Sequence, residues 1–385
     1  MNTSLERLIG RLETPLRERE EAGLERVLEP RAAAPDALDL CGNDYLGLSR
    51  HPAVIDAAER ALRTWGASSS ASPLLGGYKT VHAELEAELC GWTGFPLGIV
   101  WNSGYAANVA LLGVLPARGD LIIADKLAHN SMLSGALRSD ARLLRFPHND
   151  LAALERLLER ESGAPGCVWV ATESVYSMDG DSPNMERLAG LRSRHGFIWM
   201  LDEAHATGWH GPSGAGLAEE AGVSSEVDIL VGTLGKALGS AGAYTMLREP
   251  LLRRQLVNHA NELIYSTYLQ PSAAAAALES VRLVRALGEG GRRGLHRLSR
   301  EWRAALREYI GSVPEGCSPI IPVPLGDSRR VLACAAAMCE RGVLVGAVRP
   351  PTVPPGGARL RVSLRARLER AQMDRFLAAL KEGLR

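Results

Sequence analysis

Between Leu97 and Leu247 the chain alternates short, continuously apolar runs with longer segments patterned for helices, and this alternation constrains its folding more than any other feature. The runs are GIVWN ending at Asn102, LIIAD at Leu121–Asp125, GCVWVATES ending near Glu173, GFIWMLDEAH ending near Asp202, DILVGTLGK and GAYTML. A strand with one solvated face alternates apolar and polar residues. Strands apolar on both faces must be covered on both, which points to a mostly parallel sheet between helical layers. The covering helices are read at PAVIDAAERALRTWG from Pro52, TVHAELEAELCGWTG from Thr80, DLAALERLLERE capped by Asp150, and NMERLAGLRSRHG closed by Gly196.

After Pro271 the texture changes. Two helical patterns, Ser272 to Leu287 and Gly294 to Ile310, lead into PIIPVPLG, a helix from Ser328, VLVGAVR, RLRVSL and a final helix, the pattern of a smaller α+β lobe. At 385 residues there is chain enough for two lobes. The expected division is a helical N-terminal segment at 1–45, a large α/β domain at 46–275 and a small C-terminal α+β domain at 276–385. PPTVPPGG (Pro350–Gly357) is too stiff and short for a linker and reads as a shaped loop.

The 44 basic and 44 acidic side chains cancel, so nothing in the charge favours nucleic acid or an anionic membrane as a partner. No apolar run reaches the roughly 18 residues of a membrane span. The start, MNTSLERLIGRLETPLRERE, reads as a charged amphipathic helix without the apolar core of a signal peptide, so a cytoplasmic location is expected. The cysteines, Cys41, Cys90, Cys167, Cys317, Cys334 and Cys339, lack CxxC spacing and are expected to be buried reduced thiols, with no disulfide and no metal.

Ligands of open α/β sheets bind beyond the carboxyl ends of the strands, and several of those ends carry reactive side chains. Lys236 lies in GTLGKALGSAGA. The spacing fails as a phosphate-binding P-loop: two residues, not four, separate Gly232 from Gly235, and Ala237 follows the lysine. A lysine at such a strand end is partly desolvated, which favours the nucleophilic amine, and its glycine neighbours leave room for a bulky adduct. LDEAH (Leu201–His205) also occurs in helicases, but those need the missing P-loop. Asp202 at the end of a buried strand can instead face a cofactor pyridine nitrogen and keep it protonated, with His205 within reach of the same ring. SGYAAN (Ser103–Asn108) opens a helix whose first N–H groups suit a phosphate, and the hydroxyls of Thr233, Ser266 and Thr267 could join them. His129 follows the LIIAD strand, Ser177 follows GCVWVATES, and Arg349 and Arg361 flank the PPTVPPGG loop, where an arginine fork suits a carboxylate.

Together, NDYLGL (Asn43–Leu48), SGYAAN, the His129 segment, YSMDGD (Tyr176–Asp181), LDEAHATG, TLGKALG, LIYST and RPPTVP with ARLRVSL resemble the α-oxoamine synthases, enzymes of pyridoxal 5′-phosphate (PLP) with the aspartate-aminotransferase fold. The stretches come in family order and span nearly the whole chain. HNDLAALERLL and RPPTVPPGGARLRVSL resemble the biotin-pathway branch most. The resemblance implies fold type I and a decarboxylative condensation of L-alanine with a pimeloyl thioester carried on CoA or acyl carrier protein. Lys236 would hold PLP and move the substrate α-proton, with His129, Asp202 and His205 completing the catalytic set. His129 would stack on the ring, and His205 and Ser177 would hydrogen-bond to the cofactor. Gly104, Tyr105 and Thr233 would hold the phosphate, with Ser266 and Thr267 reaching it from the second subunit of a homodimer. Arg361 would take the substrate carboxylate beside Asn43, Arg26 matches a substrate-side arginine, and Thr352 sits in the acyl-side loop. One stretch departs from the pattern: in ASSSASPLLGGYKTVH (Ala67–His82), Pro73 stands where a basic or imidazole side chain is common, on the acyl side. Sister enzymes such as glycine C-acetyltransferase use another amino acid or thioester. Non-catalytic partner subunits typically lack the lysine that this chain keeps.

Overall fold

A computed structural model describes residues 3–30 and 36–385; positions 31–35 of the expected N-terminal helical segment lie outside the described residues. The strands are β1 (Leu38–Leu40), β2 (Leu97–Trp101), β3 (Leu121–Asp125), β4 (Arg142–Phe146), β5 (Val168–Glu173), β6 (Ile198–Asp202), β7 (Ile229–Thr233), β8 (Ala243–Leu247), β9 (Ile320–Gly326), β10 (Val343–Val348) and β11 (Ala358–Ser363). Two compact units form, one from Asn43–Arg300 with Glu315–Pro319, the other from Met1–Gly42, Glu301–Pro314 and Ile320–Arg385.

The larger unit holds a seven-stranded sheet in the order β2-β8-β7-β6-β5-β3-β4. β4, β3, β5, β6 and β7 are parallel neighbours, whereas β8 runs antiparallel to both β7 and β2. The direction of β2 therefore matches the parallel set. Its central strands are buried on both faces, as their unbroken apolar sequences require. Two buried indole N–H groups of the sheet find hydroxyls on neighbouring strands, Trp199 to Thr172 Oγ1 at 3.0 Å and Trp101 to Thr245 Oγ1 at 2.9 Å. Helices Gly104–Val114 and Asn130–Ala136 pack closely because Gly135 lacks a side chain: a Cβ there would lie 2.7 Å from the Asn108 carbonyl oxygen.

The sequence placed the second boundary at 275/276, but this unit runs to Arg300. Ala277, Leu278, Val281 and Val284 join its core, and the helical segment Pro271–Ile310 is interrupted only at Gly288, whose φ of 66° is left-handed.

The smaller unit has a four-stranded sheet, β1-β10-β11-β9, with β1 parallel to β10 and the rest antiparallel. The β1 pairing explains why residues before Gly42 belong with the C-terminal part of the chain and not to a separate helical segment. Helices Ser328–Glu340 and Arg370–Gly383 complete it, with the Trp302 and Phe376 rings packed at a tilt, centroids 5.3 Å apart, in its core. The N-terminal helix spans Ser4–Glu21, opened by a capping box between Thr3 and Glu6, and buries none of its residues. Among the described residues no helix is long and apolar enough to cross a membrane. No cysteine is in a disulfide, and Cys167 and Cys339 are exposed, against the expectation of burial.

Candidate active site

The parallel direction of β2, β3, β5, β6 and β7 brings their carboxyl ends to one edge of the sheet, and the reactive side chains follow those ends. Asp202 closes β6 and is buried. Its Oδ2 accepts from Asn108 Nδ2 at 2.8 Å and its Oδ1 from the Ala204 N–H at 2.9 Å. Both carboxylate oxygens are thereby fixed, a cost the buried charge requires.

His205, on the turn after β6, is buried between two partners. Its Nε2 lies 2.9 Å from Lys236 Nζ and its Nδ1 2.7 Å from the Tyr45 hydroxyl. That hydroxyl also donates to Asn43 Oδ1 at 3.1 Å, so a polar chain runs Asn43–Tyr45–His205–Lys236. Lys236 sits on the turn after β7. Gly239 makes that turn possible with φ 59°; a Cβ there would lie 2.2 Å from the Ser49 backbone nitrogen.

His129 caps the helix that follows β3, and its Nδ1 lies 2.6 Å from Ser131 Oγ. Solvent reaches the residue, yet the surrounding protein holds the imidazole pKa below its ordinary value; the pull of Asp202 opposes this and the Lys236 cation reinforces it. A neutral ring is the result. Its backbone N–H donates to Glu173 Oε1 at 2.7 Å. Glu173 is fully buried at the end of β5, and burial, with the neighbouring Asp202 charge, pushes its carboxyl well above the usual range. Ser177 lies on the turn beyond.

At the end of β2, Ser103 caps helix Gly104–Val114 through the Ala106 N–H at 3.1 Å. The first N–H groups of a helix have no partner within it, so Gly104 and Tyr105 offer donors to an anion. Asn102, just before, donates from Nδ2 to Ser266 Oγ at 2.9 Å and to the Thr267 carbonyl at 2.7 Å. Within one chain, Ser266 and Thr267 thus adjoin that helix start. Thr233 Oγ1 accepts from Gly235 N at 3.2 Å and donates to the Gly242 carbonyl at 3.2 Å. The departing stretch 67–82 anchors the same region: Ser69 Oγ and His82 Nε2 both contact the Leu269 carbonyl, at 2.5 and 2.9 Å. His82 is a buried, structural imidazole whose burial lowers its pKa.

Arg26, Thr352 and Arg361 belong to the smaller unit. Arg26 donates to Thr352 Oγ1 at 3.0 Å, and Arg349 holds the Gly23 carbonyl at 2.7 Å, so the PPTVPPGG loop anchors the segment after the N-terminal helix. Arg361 is buried on β11 and donates to Ser363 Oγ at 2.8 Å.

Asn108 and Tyr45 hold the centre of the site, yet sequence reasoning gave neither a role. Each stood inside a quoted motif, SGYAAN and NDYLGL, but its partner is 94 or 160 residues away. The residues fit PLP: a fixed carboxylate for the pyridine nitrogen, a lysine amine for the aldehyde, a neutral imidazole for the ring, and helix-start donors for the phosphate.

Fold and site together define a PLP-dependent enzyme of fold type I. The chain belongs to the aminotransferase class I and II family, whose model matches residues 35–380. It is 42% identical over 345 residues to an 8-amino-7-oxononanoate synthase of Trichlorobacter lovleyi, covering 89% of this chain and 88% of that protein. It is 44% identical over 367 residues to the one of Anaeromyxobacter dehalogenans, covering 93% and 91%. Among solved structures, a lysine-to-alanine variant of S. paucimobilis serine palmitoyltransferase with a bound PLP–myriocin aldimine superposes with a TM-score of 0.90 at 27% identity, over 99% of this chain and 98% of that one. The 8-amino-7-oxononanoate synthase of Francisella tularensis gives 0.77 at 25% identity, over 91% and 98%.

Proposed function

We propose that this chain condenses L-alanine with a pimeloyl thioester, giving 8-amino-7-oxononanoate, CO2 and free thiol. The observation that carries the reading is the Lys236 amine held 2.9 Å from His205 Nε2, at the sheet edge where Asp202 is buried and fixed. The names of the relatives, matched over about nine-tenths of each chain, support the choice of substrates.

PLP, when bound, supplies an electron sink beside the amino-acid α-carbon. Lys236 Nζ takes the α-proton and later returns one, and the His205 contact aims that amine. Asp202 holds a proton on the pyridine nitrogen, and Asn108 keeps the carboxylate in place for it. The neutral His129 ring packs against the cofactor plane and excludes water. The Gly104 and Tyr105 N–H groups and Thr233 bind the phosphate, and Ser266 and Thr267, which adjoin that helix start in the same chain and not across a subunit boundary, add their hydroxyls; the enzyme acts as a homodimer. Ser177 supports the ring. Arg361 pairs with the substrate carboxylate, Asn43 also binds substrate, and Arg26 and Thr352 act on the acyl group. The enzyme works in the cytoplasm, with its acyl donor on CoA or on a carrier protein.

Serine palmitoyltransferase superposes at 0.90 against 0.77 for the Francisella synthase, which favours a second reading in which the amino acid is serine and the acyl chain longer. Steady-state assays of alanine, glycine and serine against pimeloyl, acetyl, succinyl and palmitoyl thioesters separate the two. The highest kcat/KM is expected for alanine with pimeloyl; a preference for serine with palmitoyl would establish the second reading, and a preference for glycine would overturn both.

A further inference from the structure

The turn that carries His205 continues into a loop with left-handed glycines at Gly208, Gly211, Gly214 and Gly216. It ends where the buried Glu203 carboxylate accepts the Leu217 and Ala218 N–H groups at 3.0 and 2.8 Å. Such a glycine-rich loop has little backbone stiffness of its own. At its far side lies a cluster that the proposed reaction does not use: His210, Glu220, His296 and Cys317, with one ligating atom from each within 4.8 Å of all the others.

We propose that these four side chains form a zinc site that ties this loop to the helix bearing His296 and to the segment bearing Cys317. Two imidazoles, a thiolate and a carboxylate are the donors that Zn²⁺ prefers, and four of them fill a tetrahedral shell. Such a shell has ligand–ligand edges of about 3.4–3.8 Å. Glu220 Oε2 already lies 3.0 Å from His210 Nδ1 and 3.8 Å from His296 Nε2, so only the widest pairs must close, by about 1 Å. His210 is 3% exposed, and its Nδ1 already faces Glu220 Oε2, so the buried ring is turned toward the cluster. Cys317 is in no disulfide. Binding exchanges the His210–Glu220 and His296–Trp209 hydrogen bonds for metal bonds and releases the Cys317 thiol proton to solvent. Zn²⁺ with one thiolate, one carboxylate and two neutral imidazoles carries no net charge, which suits a partly buried place. Sequence spacing gave no sign of it, because the ligands come from three separate segments.

The test uses PLP-loaded enzyme dialysed against metal-free buffer, then titrated with zinc and assayed by atomic emission. About one zinc per chain is expected. His210→Gln and Cys317→Ser should each weaken zinc binding at least ~100-fold while the bound PLP absorbance is retained. No zinc bound at micromolar concentration, or equal zinc in wild type and both variants, would overturn the site. Should either variant fail to fold, cobalt(II) added to the wild type decides: four-coordinate d–d bands with a thiolate charge-transfer band support the site, and the weak spectrum of a six-coordinate ion rejects it. None of these readouts depends on the substrate, so the site and the proposed reaction stand or fall separately.

Discussion

Asn108 donates to Asp202 across 2.8 Å, linking a helix that starts at the end of β2 to the carboxyl end of β6. The amide is buried and also reaches Ser131 Oγ at 3.0 Å, so the carboxylate is held by a side chain that is itself held. Asn108→Ala removes a charge-assisted bond and leaves the carboxylate freer to turn. Stability should fall by about 1.5–3 kcal/mol in a denaturant titration. Turnover should fall as well, by a factor on the order of 10. An unchanged kcat would mean that the amide supports the fold and not the chemistry.

Asp202→Asn keeps the shape and removes the charge. An amide cannot keep a pyridine nitrogen protonated, so kcat should drop by about 10²–10³-fold while the protein still binds PLP. Steady-state kinetics with a parallel visible spectrum distinguish this from simple loss of cofactor.

Lys236→Ala removes the amine that the reading makes both cofactor anchor and proton carrier. Turnover should fall by about 10⁴-fold or more. Borohydride treatment followed by peptide mapping should label Lys236 in the wild type, and labelling of any other lysine would remove that role.

Tyr45→Phe deletes the hydroxyl that joins Asn43 to His205 and leaves the ring. Because Tyr45 acts through His205, it is a positioning residue. The expected signature is a kcat lowered by roughly 5–10-fold, one hydrogen bond's worth, with a nearly constant KM. A rise in KM alone would place Tyr45 on the substrate side.

His148 reports on the loop after β4. Burial alone would lower its pKa, but the Asp125 and Asp181 carboxylates, at 2.9 and 2.8 Å, outweigh it and raise the value to about 10. A raised pKa means that the folded state prefers the proton. The stabilisation is therefore complete below the ordinary imidazole value of about 6.5 and is lost progressively as pH rises toward 10. His148→Gln should be less stable than wild type at pH 6, and the gap should narrow steadily with increasing pH. A gap that widened with pH would reverse the assignment of charge.

The doubly buried strands β3, β5, β6 and β7 were legible because burial on both faces writes an unbroken apolar run, and their ends placed His129, Asp202, His205 and Lys236 correctly on one edge. β4 was not, since RLLRF carries exposed arginines at 142 and 145 on an edge strand. β1 was too short to show a pattern, and its pairing with β10, together with the Arg349–Gly23 and Arg26–Thr352 hydrogen bonds, joins the N-terminal residues to the smaller unit. The boundary at Arg300 was hidden because it falls inside the second helical pattern, Gly294 to Ile310, where the sequence shows no break. The contacts of Asn108, Tyr45 and His210 depend on chain segments brought together only by the fold, and no local pattern encodes them.

Gly239 tests how the Lys236 turn is built. Its φ of 59° is costly for any residue with a Cβ, and that Cβ would lie 2.2 Å from the backbone nitrogen of Ser49 and 2.6 Å from the Leu48 carbonyl carbon. Backbone atoms cannot swing aside as a long side chain would, so relief must come from moving either the turn or the 48–50 segment. That segment is fixed in turn by Asp44, which accepts the Leu48 N–H at 2.9 Å and the Ser49 N–H at 3.2 Å. Gly239→Ala should therefore cost at least about 2 kcal/mol of stability. It should also shift Lys236 relative to His205, so that PLP affinity falls along with the melting temperature. Loss of stability with cofactor affinity intact would show that the turn yields on the side away from the lysine.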